Sequence, residues 1–185
     1  NLYQENYPGT EMFKGDIWEL KESIIDYVKR IDKDLFLIYA TPPCQGMSTN
    51  GVGKLKAEIK AGNRPQEDPR NRLIIPAMDI ICALKPEWVL FENVPNMRHT
   101  VIRTEENTYS NILDYISARL GKRYVGGGEV IRCSDYGIAQ KRKRLITIYT
   151  RNSKNRKQNN IHNNSNISLY NEPKCLYIFD TGLYI

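Results

Sequence analysis

The sequence is poor in features that would place it in a membrane or hold it together with cross-links. No apolar run approaches the roughly 20 residues that a membrane-spanning helix needs, so no membrane segment is expected. A charged-then-apolar leader with a small-residue cleavage site is also missing, so a reducing, cytoplasmic setting is expected. The four cysteines, Cys44, Cys82, Cys133 and Cys175, lie far apart and form no CxxC pair. That spacing argues against a zinc site or a disulfide framework, and no metal is expected. Internal repeats are absent. Acidic residues are absent too between Tyr136 and Asn171, where Lys141, Arg142, Lys143, Arg144, Arg151, Lys154, Arg156 and Lys157 all fall. A second basic group, Lys54, Lys56, Lys60 and Arg64, contributes to a net charge of +6. Basic loops suit phosphate-bearing partners such as nucleic acid, with a merely solvated surface as the alternative.

The 185 residues, 41% of them hydrophobic, are enough for one well-cored domain. Leu20, Ile24, Ile25, Val28 and Ile31 recur at helical spacing. Leu35 to Ala40 reads as a buried strand closed by Pro42 and Pro43. Leu73, Ile74, Ala77, Ile80, Ile81 and Leu84 predict a second helix, stopped at Lys85-Pro86. Glu87 to Val94 is a further apolar strand. Ile112, Leu113, Ile116 and Leu120 predict a third helix ending at Gly121. "YVGGGEVIRC" and "RLITIYT" read as strands. This alternation predicts an α/β fold with a partial doubly wound, mostly parallel sheet, in which ligands bind at the carboxyl ends of strands. Residues 1–150 are assigned to that domain. Residues 151–185 are assigned to an Asn-rich, poorly ordered tail, in which the isolated stretch "KCLYIFDTGLYI" could add one strand.

Three places carry candidate chemistry. Cys44 stands just past a strand end in a proline- and glycine-rich stretch, "TPPCQGMSTNG". It is either a small packed residue or a thiol held out to react, and as a thiolate it needs a positive or donor-rich setting. Glu92 follows the apolar run Trp88 to Phe91, and burial there raises a carboxyl pKa enough for proton transfer near neutrality. The alternative is a carboxylate that caps a turn or pairs with an arginine. Gln140, Arg142 and Arg144 alternate after Gly137, so on a strand they share one face able to grip a phosphate, a carboxylate or a carbonyl oxygen. A basic edge strand that resists aggregation has the same pattern.

Taken together and in this order, "PPCQGMS", "DPRNRL", "FENV" and "DYGIAQKRKR" resemble the central motifs of DNA cytosine-C5 methyltransferases. The resemblance runs from about Gly15 to Ile148. It implies the Rossmann-like fold of S-adenosylmethionine-dependent methyltransferases and transfer of a methyl group to C5 of cytosine in DNA. By resemblance Cys44 is the nucleophile and Glu92 contacts N3 and the exocyclic amine. Asn93 braces the loop that bears Cys44, and Arg144 holds the cytosine O2 with Arg142 in support, on the strand face shared with Gln140. The partner implied is double-stranded DNA with a flipped cytosine, over which the loop Gly46 to Asn63 would close. For the donor, "KGDI" implies that Asp16 meets the adenine amino group and Ile17 its ring, with Pro43 and Leu73 on the methionine side.

The chain departs from this pattern in three ways. The family's opening strand, glycine-rich turn and ribose-binding acid are not seen, no target-recognition domain follows, and Ala139 stands where a proline is usual. The expectation is therefore a fragment, or one chain of a split enzyme completed by a complementing chain. It would be the modification component of a restriction-modification system, inactive in methyl transfer by itself. Alternatives are an inactive remnant that binds DNA through its basic surface, and a transfer-RNA cytosine-C5 methyltransferase.

Overall fold

Local sequence and core burial agree over most of each helix of the computed structural model, which describes residues 5–6, 8–31, 35–43, 69–152, 175–179 and 182–184. Helix α1, Ile17–Ile31, buries Ile24, Ile25 and Val28 on its apolar stripe. Asp16 caps it: the Trp18 amide donates to Asp16 Oδ1 at 2.9 Å, and Lys29 and Arg30 meet the negative end of the helix dipole. Ile31, expected on the buried face, is 39% exposed in the last turn. Helix α2, Ile74–Leu84, is apolar nearly all round and buries Ile74 through Met78, Ile80 and Ile81, which marks it as the central helix of the layer. A short 3-10 turn, Pro69–Leu73, leads into it, and Lys85 ends it in the left-handed region at φ 51°. Helix α3, Ile112–Leu120, is capped by Asn111, whose Oδ1 accepts from the Leu113 amide at 2.9 Å.

Among the described residues nine strands accompany the helices: β1 (Met12–Phe13), β2 (Leu37–Ala40), β3 (Trp88–Asn93), β4 (Val101–Arg103), β5 (Tyr109–Asn111), β6 (Tyr124–Arg132), β7 (Lys143–Arg151), β8 (Cys175–Phe179) and β9 (Gly182–Tyr184). β4 and β5 form a separate hairpin; the other seven make one sheet in the order β1-β9-β8-β2-β3-β7-β6. The α/β class expected from the alternating pattern is present. Parallel pairing is confined to the centre, β8-β2-β3, and the flanking ladders are antiparallel. Residues 175–179 and 182–184, assigned by sequence to a tail, supply two strands of this sheet, one of them central.

Register explains the core. Leu176, Ile38, Val89 and Tyr149 pair across four strands, and so do Ile178, Ala40, Phe91 and Thr147. All eight are buried. The apolar members form one cluster with Ile24, Ile25, Val28, Ile74, Ile81 and Ile116 of the helices. α2 packs against α1 on one side and α3 on the other. Among the described residues no helix is long and apolar enough to cross a membrane.

Candidate active site

The carboxyl ends of β2 and β3 and the amino end of β7 meet at one point, because β7 runs antiparallel to β3. Glu92 pairs in register with Ile146, so Arg144, two residues earlier on β7, lies diagonally across from Glu92 on the same sheet face. The contact is made: Arg144 Nε is 2.5 Å from Glu92 Oε1. Both side chains are largely sheltered. Burial pushes the Glu92 carboxyl above its ordinary range, while the charge of Arg142 and the touching Arg144 act in the opposite sense. Tyr39, also raised, first by burial and then by the Glu92 charge, marks the same sheltered face.

Asn93, the next residue of β3, points the other way and is 3% exposed. Its Nδ2 donates to the Pro42 carbonyl at 2.8 Å, and its Oδ1 accepts from the Val94 amide at 2.8 Å. Both halves of the amide are thus committed, one of them to the strap that leaves β2. That strap, Thr41-Pro42-Pro43, has both prolines buried. A recess of about 160 Å³ lies between, lined by Thr41, Pro42, Pro43, Glu92, Asn93, Val94, Arg142 and Arg144.

The structure therefore gathers Glu92, Asn93, Arg142, Arg144 and Pro43 around one recess. Gln140 does not join them. The 3-10 turn Cys133–Tyr136, Gly137 at φ 80° and a tight Gln140 N–H to Ile138 O bond of 2.6 Å delay the strand until Lys143. Gln140 and Arg142 thus precede β7, and the expected shared strand face of Gln140, Arg142 and Arg144 is not formed. Asp16 and Ile17 stand at the start of α1, and Leu73 at the start of α2; none lines the recess. Cys44 and the loop Gly46 to Asn63 lie outside the described residues. Thr41 and Val94 line the recess without having been singled out by sequence. Only the position of Thr41 before "PPC" and of Val94 after Asn93 hinted at them.

Comparison with known proteins gives a consistent answer. A family model described as C-5 cytosine-specific DNA methylase matches residues 1–176. The type II methyltransferase M1.HgaI of Avibacterium volantium is 32% identical over 148 residues, which are 79% of this chain and 39% of that protein. The type II methyltransferase M.NgoPII of Neisseria gonorrhoeae is 29% identical over 146 residues, 79% of this chain and 36% of its own length. The chain thus spans less than two fifths of the length of these curated relatives. A mutant DNMT2 of Spodoptera frugiperda shares the fold, with a TM-score of 0.55 at 16% identity over 96% of this chain and 43% of that one.

Proposed function

The chain belongs to the C-5 cytosine-specific DNA methylase family, and from that premise we propose that it carries the centre that methylates C5 of cytosine in DNA. The methyl donor in this reading is S-adenosylmethionine, and the biological setting is the modification arm of a type II restriction system. The observation that carries the reading is the recess itself. On one wall stands a carboxyl raised by burial and touched by a guanidinium; on the other is a proline strap, pinned by Asn93, that runs directly into Cys44.

C5 of cytosine is a poor nucleophile until the ring is activated. The Cys44 thiolate adds to C6, and Glu92 delivers a proton toward N3, so the electron pair moves to C5 as an enamine. After methylation, loss of the C5 proton and expulsion of the thiolate restore the ring and the free cysteine. Arg144 orients Glu92 and reaches the cytosine O2, with Arg142 adding positive potential at the mouth. Because C5 and C6 are stacked inside a duplex, the cytosine must leave the helix to enter the recess.

The donor supplies an electrophilic sulfonium methyl. Asp16 is suited to hold its adenine: the carboxylate uses Oδ1 to cap α1 and leaves Oδ2 to accept from an amino group, beside half-buried Ile17. Pro43 and Leu73 would face the methionine end. The length by which the relatives exceed this chain is, in this reading, either joined to it in a longer protein or contributed by a complementing chain.

The test uses DNA containing 5-fluorocytosine, whose C5 substituent cannot leave as a proton, with donor and the protein that contains this chain, plus any complementing chain. A covalent protein–DNA adduct that disappears in Cys44→Ala is expected. An adduct that persists in Cys44→Ala removes Cys44 from the reaction.

A further inference from the structure

β8 does more than close the sheet. It pairs with β2 in parallel, Leu37 opposite Cys175 through Ala40 opposite Ile178. The ladder then continues one step past the end of β2, where the Thr41 amide donates to the Ile178 carbonyl at 2.7 Å. The Thr41 hydroxyl lies 3.5 Å from the same oxygen. Pro42 and Pro43 have no N–H, so the Thr41 amide is the only backbone donor between Ala40 and Cys44. The strap is consequently held at two points: by Asn93 of β3 at the Pro42 carbonyl, and by Ile178 of β8 at Thr41. Leu176 and Ile178 are 0% and 4% exposed, in register with buried Ile38 and Ala40, so β8 cannot slip by one residue without turning its core side chains outward.

We propose that Ile178 is a positioning residue of the active centre: its carbonyl, through the Thr41 amide, sets the Thr41-Pro42-Pro43 strap, which Cys44 follows in sequence. Strand β8 is then a working part of the catalytic scaffold. This rests on the proposed function only for the role of Cys44; the placement of β8 is tested separately.

Placement is read by cross-linking in the full chain. Position 37 is the backbone register partner of Cys175, so mild oxidation of Leu37→Cys is expected to link the two. Ile38→Cys, whose partner is Leu176, is expected not to link to Cys175, and Cys175→Ser abolishes the Leu37→Cys link. Positioning is read by the pH dependence of Cys44 alkylation, followed on its own peptide by mass spectrometry. Thr41→Pro removes the amide donor, and Thr41→Val keeps it. Thr41→Pro is expected to change the Cys44 rate at neutral pH by about threefold or more and to alter its pH profile. Thr41→Val stays with the parent. Ile178→Ala, which loosens β8 while keeping its carbonyl, shifts the profile in the same direction by less, and it decides the matter should Thr41→Pro not fold. A folded Leu37→Cys chain that forms no link to Cys175 overturns the placement. Parent-like Cys44 profiles in the folded Thr41→Pro or Ile178→Ala chains overturn the positioning role. Neither result depends on adduct formation, so failure of the proposed function is recognised apart from them, by an adduct that survives in Cys44→Ala.

Discussion

At Glu92 a single proton separates a structural carboxylate from a catalytic acid. Glu92→Gln keeps the size and an acceptor for Arg144 but cannot deliver the proton toward N3. In a protein competent for methyl transfer, it is expected to lower turnover about 10²- to 10⁴-fold while the melting temperature changes little. A loss of less than about tenfold, in steady-state assays with labelled donor, removes Glu92 as the acid. Thr147 offers a contrasting case on the opposite face of the sheet from Glu92, paired with buried Phe91. It is 0% exposed, and among the described residues its hydroxyl has no hydrogen-bond partner. Thr147→Val replaces that hydroxyl with a methyl of similar size. The gain from removing an unsatisfied group, about 1 kcal/mol, outweighs any packing adjustment, so a higher urea midpoint is expected.

At the scale of elements, the end of α2 shows how a stop signal works. Sequence placed the stop at Lys85-Pro86, and the structure adds the mechanism: Lys85 takes φ 51° and its amide donates to Ile81 O at 2.9 Å. A non-glycine residue in that region costs about 1 kcal/mol, whereas the benefit of a cation at the helix end is only a few tenths at an exposed position. Lys85→Gly is therefore expected to raise stability by about 0.5 kcal/mol, measured by chemical denaturation. The helices and the strands β2, β3, β6 and β7 were legible because their apolar periods are local. β4 and β5 were not, since "VIR" and "YSN" are too short to show a period. The central place of β8 was hidden for a different reason: strand order is set by pairing with distant residues, and nothing within "CLYIF" names its neighbours. In the site, Glu92 and Asn93 were legible from their position at a strand end, and Arg144 from the alternating pattern that singled it out. The strand face for Gln140 was misjudged because Gly137 turns the chain and postpones β7.

Across the whole molecule, one charge network ties the helical layer together. Asp79 of α2 accepts from Lys21 of α1 and from Arg119 of α3, each at 2.6 Å. Arg119 also reaches Glu105, beyond β4, at 2.8 Å, and the Tyr115 hydroxyl donates to that same carboxylate at 2.8 Å. Burial alone would raise the Asp79 carboxyl, but the hydrogen bonds and charges of Lys21 and Arg119 carry it below its usual value. A lowered folded-state pKa contributes stability above the unfolded value, about 3.9, that is lost as pH falls through the folded one. Thermal melts should therefore fall steeply below about pH 4, and Asp79→Asn should flatten that limb. At neutral pH the same change is expected to cost about 1 kcal/mol, since it strands two cations that are only partly solvated. An acid limb unchanged in Asp79→Asn would assign the acid sensitivity to other groups.

The pairing of Thr41 with Ile178, 137 residues apart, also has a temporal consequence. A nascent chain emerging from the ribosome would hold β2 with one edge unpaired until residue 178 has been synthesised and released. The sheet's centre thus closes only after the flank β3-β7-β6 has been made, a connection of high contact order and slow formation. During that interval the open edge of β2 and its apolar row are available to chaperones or to neighbouring nascent chains. Expression yield should accordingly respond more to chaperone supply and translation rate than the equilibrium stability of the finished protein would indicate.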